Sequence, residues 1–115
     1  MTRMTKRDLK RLRDCCTAFR VGLLRRDKSK GRCYWVSCPL SGYLGWGGYK
    51  NRMVEGRVGK YKMSHWWIEL DCGIIVDATA DQFRKPTGGK MPMVYVGPRP
   101  AWYRLQATLE SGLRQ

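Results

Sequence analysis

Acidic residues are scarce in this chain: nine Asp and Glu stand against 23 Lys and Arg, a formal charge of +14. Such a balance is unsuited to a protein that must repel polyanions, and it favours acidic protein surfaces or nucleic acid as partners. Histidine is scarcer still, with His65 the single example, so any imidazole chemistry has one possible seat. No apolar run approaches the roughly 20 residues needed to span a bilayer, and no membrane partner is expected. The motif Cys-x-x-Cys is absent, and the cysteines are five, an odd number: Cys15, Cys16, Cys33, Cys38 and Cys72. The basic N-terminus has no apolar h-region behind it, so no secretion signal is expected. Together these argue against a disulfide scaffold and for a reducing, cytoplasmic compartment. No Gly-rich phosphate loop, dinucleotide fingerprint, paired catalytic carboxylates or internal repeat is visible.

What is present fits one domain. At 115 residues and 43% apolar composition, the chain is long enough to close a modest core and too apolar to remain disordered. Its charge is concentrated near the start. Residues 3–32 carry twelve Lys and Arg against three Asp, a net of +9. Thr5 with Asp8 has the form of a capping box opening a helix. Leu9, Leu12, Cys16, Phe19 and Leu23 then recur at helical spacing, while Lys6, Arg7, Lys10, Arg13 and Arg20 fall largely off that stripe. Residues 5–24 are therefore expected to form a basic amphipathic helix, with Lys6, Arg7, Lys10 and Arg13 as its partner-binding cations. A charge run of this kind is equally a solvated face that keeps a small protein in solution. Residues 27–31 are expected to form a polar loop.

A second helix is expected over 33–44, with Pro39 either kinking it or starting a shorter one after Cys38. Gly45, Gly47 and Gly48 end it. Residues 45–62 resemble a long Gly- and Lys/Arg-containing loop with room for one short strand, of a length that suggests a flap. A hairpin follows. Its arms are His65–Leu70 and Ile74–Asp77, joined by Asp71-Cys72-Gly73, where Gly73 can take the positive φ of a bulge-type turn. That odd loop length sets Trp67 opposite Asp77 and puts His65 on the same face. Residues 93–96 make a third strand between Pro92 and Pro98, and 101–111 (Trp102, Leu105, Leu109) a short closing helix.

A thiol, an imidazole and a carboxylate are the parts of an activated cysteine nucleophile. In Cys33, His65 and Asp77 the chain has all three in a workable order. The thiolate would be favoured by a helix N-terminus and by a neighbouring imidazolium, and Asp77 would orient the ring. Plainer roles exist for each: a satisfied structural histidine beside tryptophans, a turn aspartate ahead of Thr79, a small buried hydrophobe. Cys38 is a rival nucleophile. Gln82 could offer an amide to an oxyanion or simply cap the following turn, and the Cys33 N–H is another donor. Trp35 and Trp67 are candidate substrate or partner contacts. A zinc site of Cys33, Cys38, His65 and Cys72 matches no common spacing, so no metal or organic cofactor is expected.

The strings Gly31-Arg32-Cys33-Tyr34-Trp35-Val36-Ser37, His65-Trp66-Trp67 and Gly73-Ile74-Ile75-Val76-Asp77-Ala78-Thr79-Ala80-Asp81-Gln82-Phe83 together resemble a group of small, mostly phage and bacterial proteins with a papain-like or transglutaminase-like core. The likeness covers residues 31–83. It departs at Cys38-Pro39, where ordinary helix formers belong. It implies a nucleophile on a helix with His and Asp on a sheet. The fold expected is then α+β: a nucleophile-bearing helix on a three- to four-stranded antiparallel sheet, the basic helix at 5–24, the Cys-His-Asp core at 31–83 and a closing strand and tail at 84–115. The function it implies is cysteine-dependent acyl chemistry on a peptide or amide bond by a protease, amidase or transferase. The substrate would be a protein or peptide, such as an acidic host protein met in the host cytoplasm if the chain is phage-encoded. The alternative is a non-enzymatic basic protein on the same fold that binds a host protein or nucleic acid.

Overall fold

The computed structural model describes residues 4–25, 32–59, 64–83 and 91–105. The first helix, α1, runs Lys6–Leu24. Thr5 caps it as its spacing predicts: the Thr5 hydroxyl accepts from the Asp8 N–H at 3.1 Å, and the Asp8 carboxylate accepts from the Thr5 N–H at 3.0 Å. Two of the orphan N–H groups of the first turn are thereby satisfied. Leu12, Cys16 and Leu24 are buried on its inner face. Arg20, expected outside the apolar stripe, is buried with them, and Leu23 is exposed instead. The reason lies in what Arg20 meets, described below.

The second helix, α2, spans Cys33–Trp46 with Pro39 inside it. Pro39 is tolerated because its position is exposed, so the Trp35 carbonyl that loses its helical donor sits at the surface. Val36, Leu40 and Leu44 are the buried stripe.

Five strands follow: β1 Asn51–Val58, β2 His65–Leu70, β3 Ile74–Asp77, β4 Tyr95–Pro98 and β5 Tyr103–Leu105. They form one curled antiparallel sheet, a half-barrel, in the order β4-β3-β2-β1-β5. The α+β class and the helix-on-sheet arrangement are as expected, but there are five strands rather than three or four. The one strand allowed within the expected 45–62 loop is the eight-residue β1, with Val54, Gly56 and Val58 buried at alternate positions. Residues 103–105 of the expected closing helix are β5, which pairs Val58 with Tyr103. Residues 106–111 of that tail and the 27–31 loop lie outside the described residues.

The hairpin keeps its expected register. Ile68 pairs with Val76 and Glu69 with Ile75, which carries Trp67 opposite Asp77. Gly73 has φ +85°, and its N–H donates to the Leu70 carbonyl at 3.0 Å.

The two sheet faces bury different clusters. Ile68, Leu70, Val76 and Val96 pack under α1 and α2. Trp67, Ile75, Phe83 and Tyr103 pack on the concave side. Between β1 and the curl stands Gly56, paired with His65 on one side and Leu105 on the other. A Cβ there would collide with the Arg104 carbonyl and the Trp67 ring. Glycine is thus what permits β5 to close over Trp67.

Candidate active site

His65 opens β2 and Asp77 ends β3, and both are buried, at 1% and 0% exposure. Their shared sheet face, set by the three-residue turn, brings His65 Nε2 to 2.7 Å from Asp77 Oδ2. The same oxygen accepts from the Tyr103 hydroxyl at 2.6 Å. Asp77 Oδ1 accepts from the Thr79 N–H at 3.0 Å and from its hydroxyl at 3.3 Å. A carboxylate removed from water is costly unless hydrogen-bonded, and here four donors meet it. The turn role foreseen for Asp77 is real, but it occupies only Oδ1.

The ring is locked in place as well. Phe83 stands edge-on to it at 4.5 Å, and Trp67 stacks at 6.0 Å. Gln82 Nε2 lies 3.3 Å from His65 Nδ1 and donates to the Thr79 hydroxyl at 2.9 Å. Gln82 and Thr79 come from the short 3-10 helix at Ala80–Phe83 and the turn before it. That segment is tied to α1 by Arg20, which donates to the Met93 carbonyl at 2.7 Å, the Ala78 carbonyl at 3.3 Å and the Asp81 carboxylate at 2.6 Å. This explains the burial of Arg20.

Cys33 is the first residue of α2 and is half-buried. Burial pushes its thiol up. The hydrogen bond with the His65 side chain, the backbone N–H groups of Trp66 and Tyr34 and the charge of His65 outweigh this and hold it below the ordinary thiol value. His65 answers in kind: burial lowers it, but the Asp77 carboxylate and the Cys33 thiol raise it to about 9. Cys16 is the contrasting case, a buried thiol that desolvation pushes up to about 12, unsuited to serve as a thiolate.

The structure thus joins His65, Asp77, Thr79, Gln82 and Tyr103 in one hydrogen-bonded network. Cys38 is exposed on α2, whereas Cys33 is the thiol that His65 helps to hold below its ordinary value. Among the described residues no group of three or more His, Cys, Asp or Glu could hold a metal ion, so the four zinc candidates do not converge. Trp67, expected at the contact surface, is fully enclosed and serves as the wall of the ring. Trp35 is 71% exposed. Lys6, Arg7, Lys10 and Arg13 are exposed on α1, and Lys10 pairs with Asp14 at 3.0 Å. None of the four joins the His65 network. Two members of that network, Tyr103 and Arg20, were not foreseen. Tyr103 lies in a short strand without alternation, and Arg20 resembles every other cation of α1 by spacing.

Among the described residues no helix is long and apolar enough to cross a membrane. Comparison of the chain with known protein families, curated proteins and solved structures finds no match.

Proposed function

We propose that this chain is a cysteine-dependent enzyme of acyl chemistry on a peptide or amide carbonyl, built on a minimal papain-like or transglutaminase-like core. The observation that carries the reading is the 2.7 Å bond between His65 Nε2 and Asp77 Oδ2, and it is supported by the Cys33 thiol being held below its ordinary value with His65 among the causes. A structural histidine would need one polar partner. A ring braced by a carboxylate and a lowered thiol at a helix N-terminus support the order that activation of a nucleophile requires.

The chemistry follows from those positions. With Nε2 engaged by Asp77, Nδ1, which Gln82 Nε2 approaches at 3.3 Å, is the ring nitrogen that takes the thiol proton. The Cys33 proton passes to His65, and the thiolate attacks the carbonyl carbon. The tetrahedral oxyanion meets the Cys33 N–H, free of a helical acceptor at the first helical position. His65 then returns its proton to the departing amine, leaving a thioester on Cys33. Water releases the acid in a protease or amidase. An amine takes the acyl group in a transferase. In both cases His65 removes the proton of the incoming group, and the thiol is restored. Gln82, already bonded to Thr79 and facing His65 Nδ1, fits a role in steadying the ring. The substrate is a protein or peptide, and acidic ones are favoured by the chain's +14 charge.

The test uses p-nitrophenyl acetate with mass spectrometry of the acylated peptide. Acetylation of Cys33 with release of nitrophenolate, slowed roughly 10³-fold or more in His65→Ala, is the expected result. Equal acylation of Cys15, Cys33 and Cys38, indifferent to His65, would end the enzyme reading.

A further inference from the structure

We propose that the groove between α1 and the C-terminal half of α2 binds single-stranded nucleic acid, at a surface separate from Cys33. The groove has a volume of about 270 Å³, with Arg11 and Leu12 on one wall and Tyr43 and Trp46 on the other. Tyr49 borders both this groove and a neighbouring hollow of about 400 Å³ that includes Lys50. Its centre at Tyr43 lies ten residues along α2 from Cys33, about 15 Å at the helical rise.

Two independent features coincide there. The first is flat aromatic surface. Trp46 is 88% exposed, Tyr43 43% and Tyr49 38%. Single exposed aromatics are ordinary, but three within seven positions bordering one groove form a platform. The second is cationic charge. Arg7 and Arg11, both exposed, stand one helical turn apart and so on one side of α1, and Arg11 lines the groove itself. Aromatic faces beside backbone-tracking cations are how single strands are held: bases stack, phosphates meet Arg. An acidic peptide would use the charge and leave the ring faces unstacked. A duplex would keep its bases stacked on one another.

The experiment measures anisotropy of a labelled short oligothymidylate with the full chain. The same sequence as duplex and a labelled polyglutamate serve as competitors. The expected result is binding to the single strand that weakens about tenfold in Trp46→Ala. In Arg7→Gln/Arg11→Gln the slope of log affinity against log salt should fall by about 0.7 for each phosphate that is no longer neutralised. Trp46 is exposed, so the variant keeps its fold, which circular dichroism verifies, and Cys33→Ser should bind unchanged. Undiminished binding by Trp46→Ala removes the groove as the site. Polyglutamate competing as well as the single strand would overturn the nucleic-acid partner in favour of an acidic protein.

Discussion

Asp77 Oδ2 accepts from two donors at once, His65 Nε2 at 2.7 Å and the Tyr103 hydroxyl at 2.6 Å. The two compete for one pair of lone pairs, so Tyr103 tempers how strongly the carboxylate holds the proton on His65. Tyr103 is itself buried, and with Asp77 beside it burial pushes its phenol far above the ordinary tyrosine value, so it stays a donor throughout the useful pH range. Tyr103→Phe should cost about 1.5–3 kcal/mol in urea denaturation, the range for a hydrogen bond to a charged group. It should also move the His65 titration upward from about 9 as the unshared oxygen binds the ring proton more tightly. Histidine proton resonances followed against pH measure this, and a downward shift would contradict the sharing argument. Gly56 poses the opposite problem, a missing atom rather than a shared one. Gly56→Ala places a methyl against the Arg104 carbonyl and the Trp67 ring, an overpacking that costs about 1–3 kcal/mol. Because Gly56 pairs with His65, alkylation of Cys33 by iodoacetamide should slow in the same variant. Alanine tolerated without loss of melting temperature would mean that the curl of the sheet does not depend on that close approach.

Elements differ in how openly the sequence declares them, for physical reasons. Asp71-Cys72-Gly73 is legible because only glycine takes φ +85° cheaply. The loop length then fixes the register and places His65 and Asp77 on one face without further information. The α1 capping box is legible because it is local. β1 is not, because its buried positions include Gly56, its intervening ones include Glu55 and Arg57, and Arg52 precedes them, a composition that also suits a loop. Its strand character comes from pairing with β2 along Asn51 to Gly56, a tertiary decision rather than a local preference. Tyr103 is silent for the same reason: its meaning depends on a sheet curling back across β1. The His65–Asp77 pair is therefore readable, while the residues that support it from β5 and α1 are not. Arg20 shows what that support is worth. Its side chain is 8% exposed and that of Asp81 17%. Arg20→Met would strand the carboxylate and the Ala78 and Met93 carbonyls, at a cost of about 3 kcal/mol by analogy with broken buried pairs. Arg20→Lys should recover only part of it, since one ammonium cannot match the guanidinium fork. Melting curves of the two variants check the order, and equal stability of the two would mean that the fork geometry contributes nothing.

Across the whole molecule, nearly all of the +14 charge comes from Lys and Arg that hold their protons through neutral and mildly alkaline pH. Stability between pH 6.5 and 9 therefore responds chiefly to His65 and Cys33, and the two act with opposite sign. His65 titrates in the fold near 9 against 6.5 for the ordinary ring. Its contribution is fully present below about 6.5 and is lost as the pH rises toward 9. Cys33 is held below its ordinary 9.0. Its contribution is fully present above that value and is lost as the pH falls through its folded value. In the native chain these slopes partly cancel, so the urea midpoint should change little across the window. Cys33→Ser removes one of them. His65 keeps Asp77, the larger cause of its raised value, so the midpoint of Cys33→Ser should fall steadily from pH 6.5 to 9. Cys33→Ser/Asp77→Asn should lose most of that slope along with the carboxylate. A Cys33→Ser midpoint that stayed flat or rose over the window would mean that His65 is not held protonated by Asp77, and the thiolate would then have no imidazolium beside it at neutral pH.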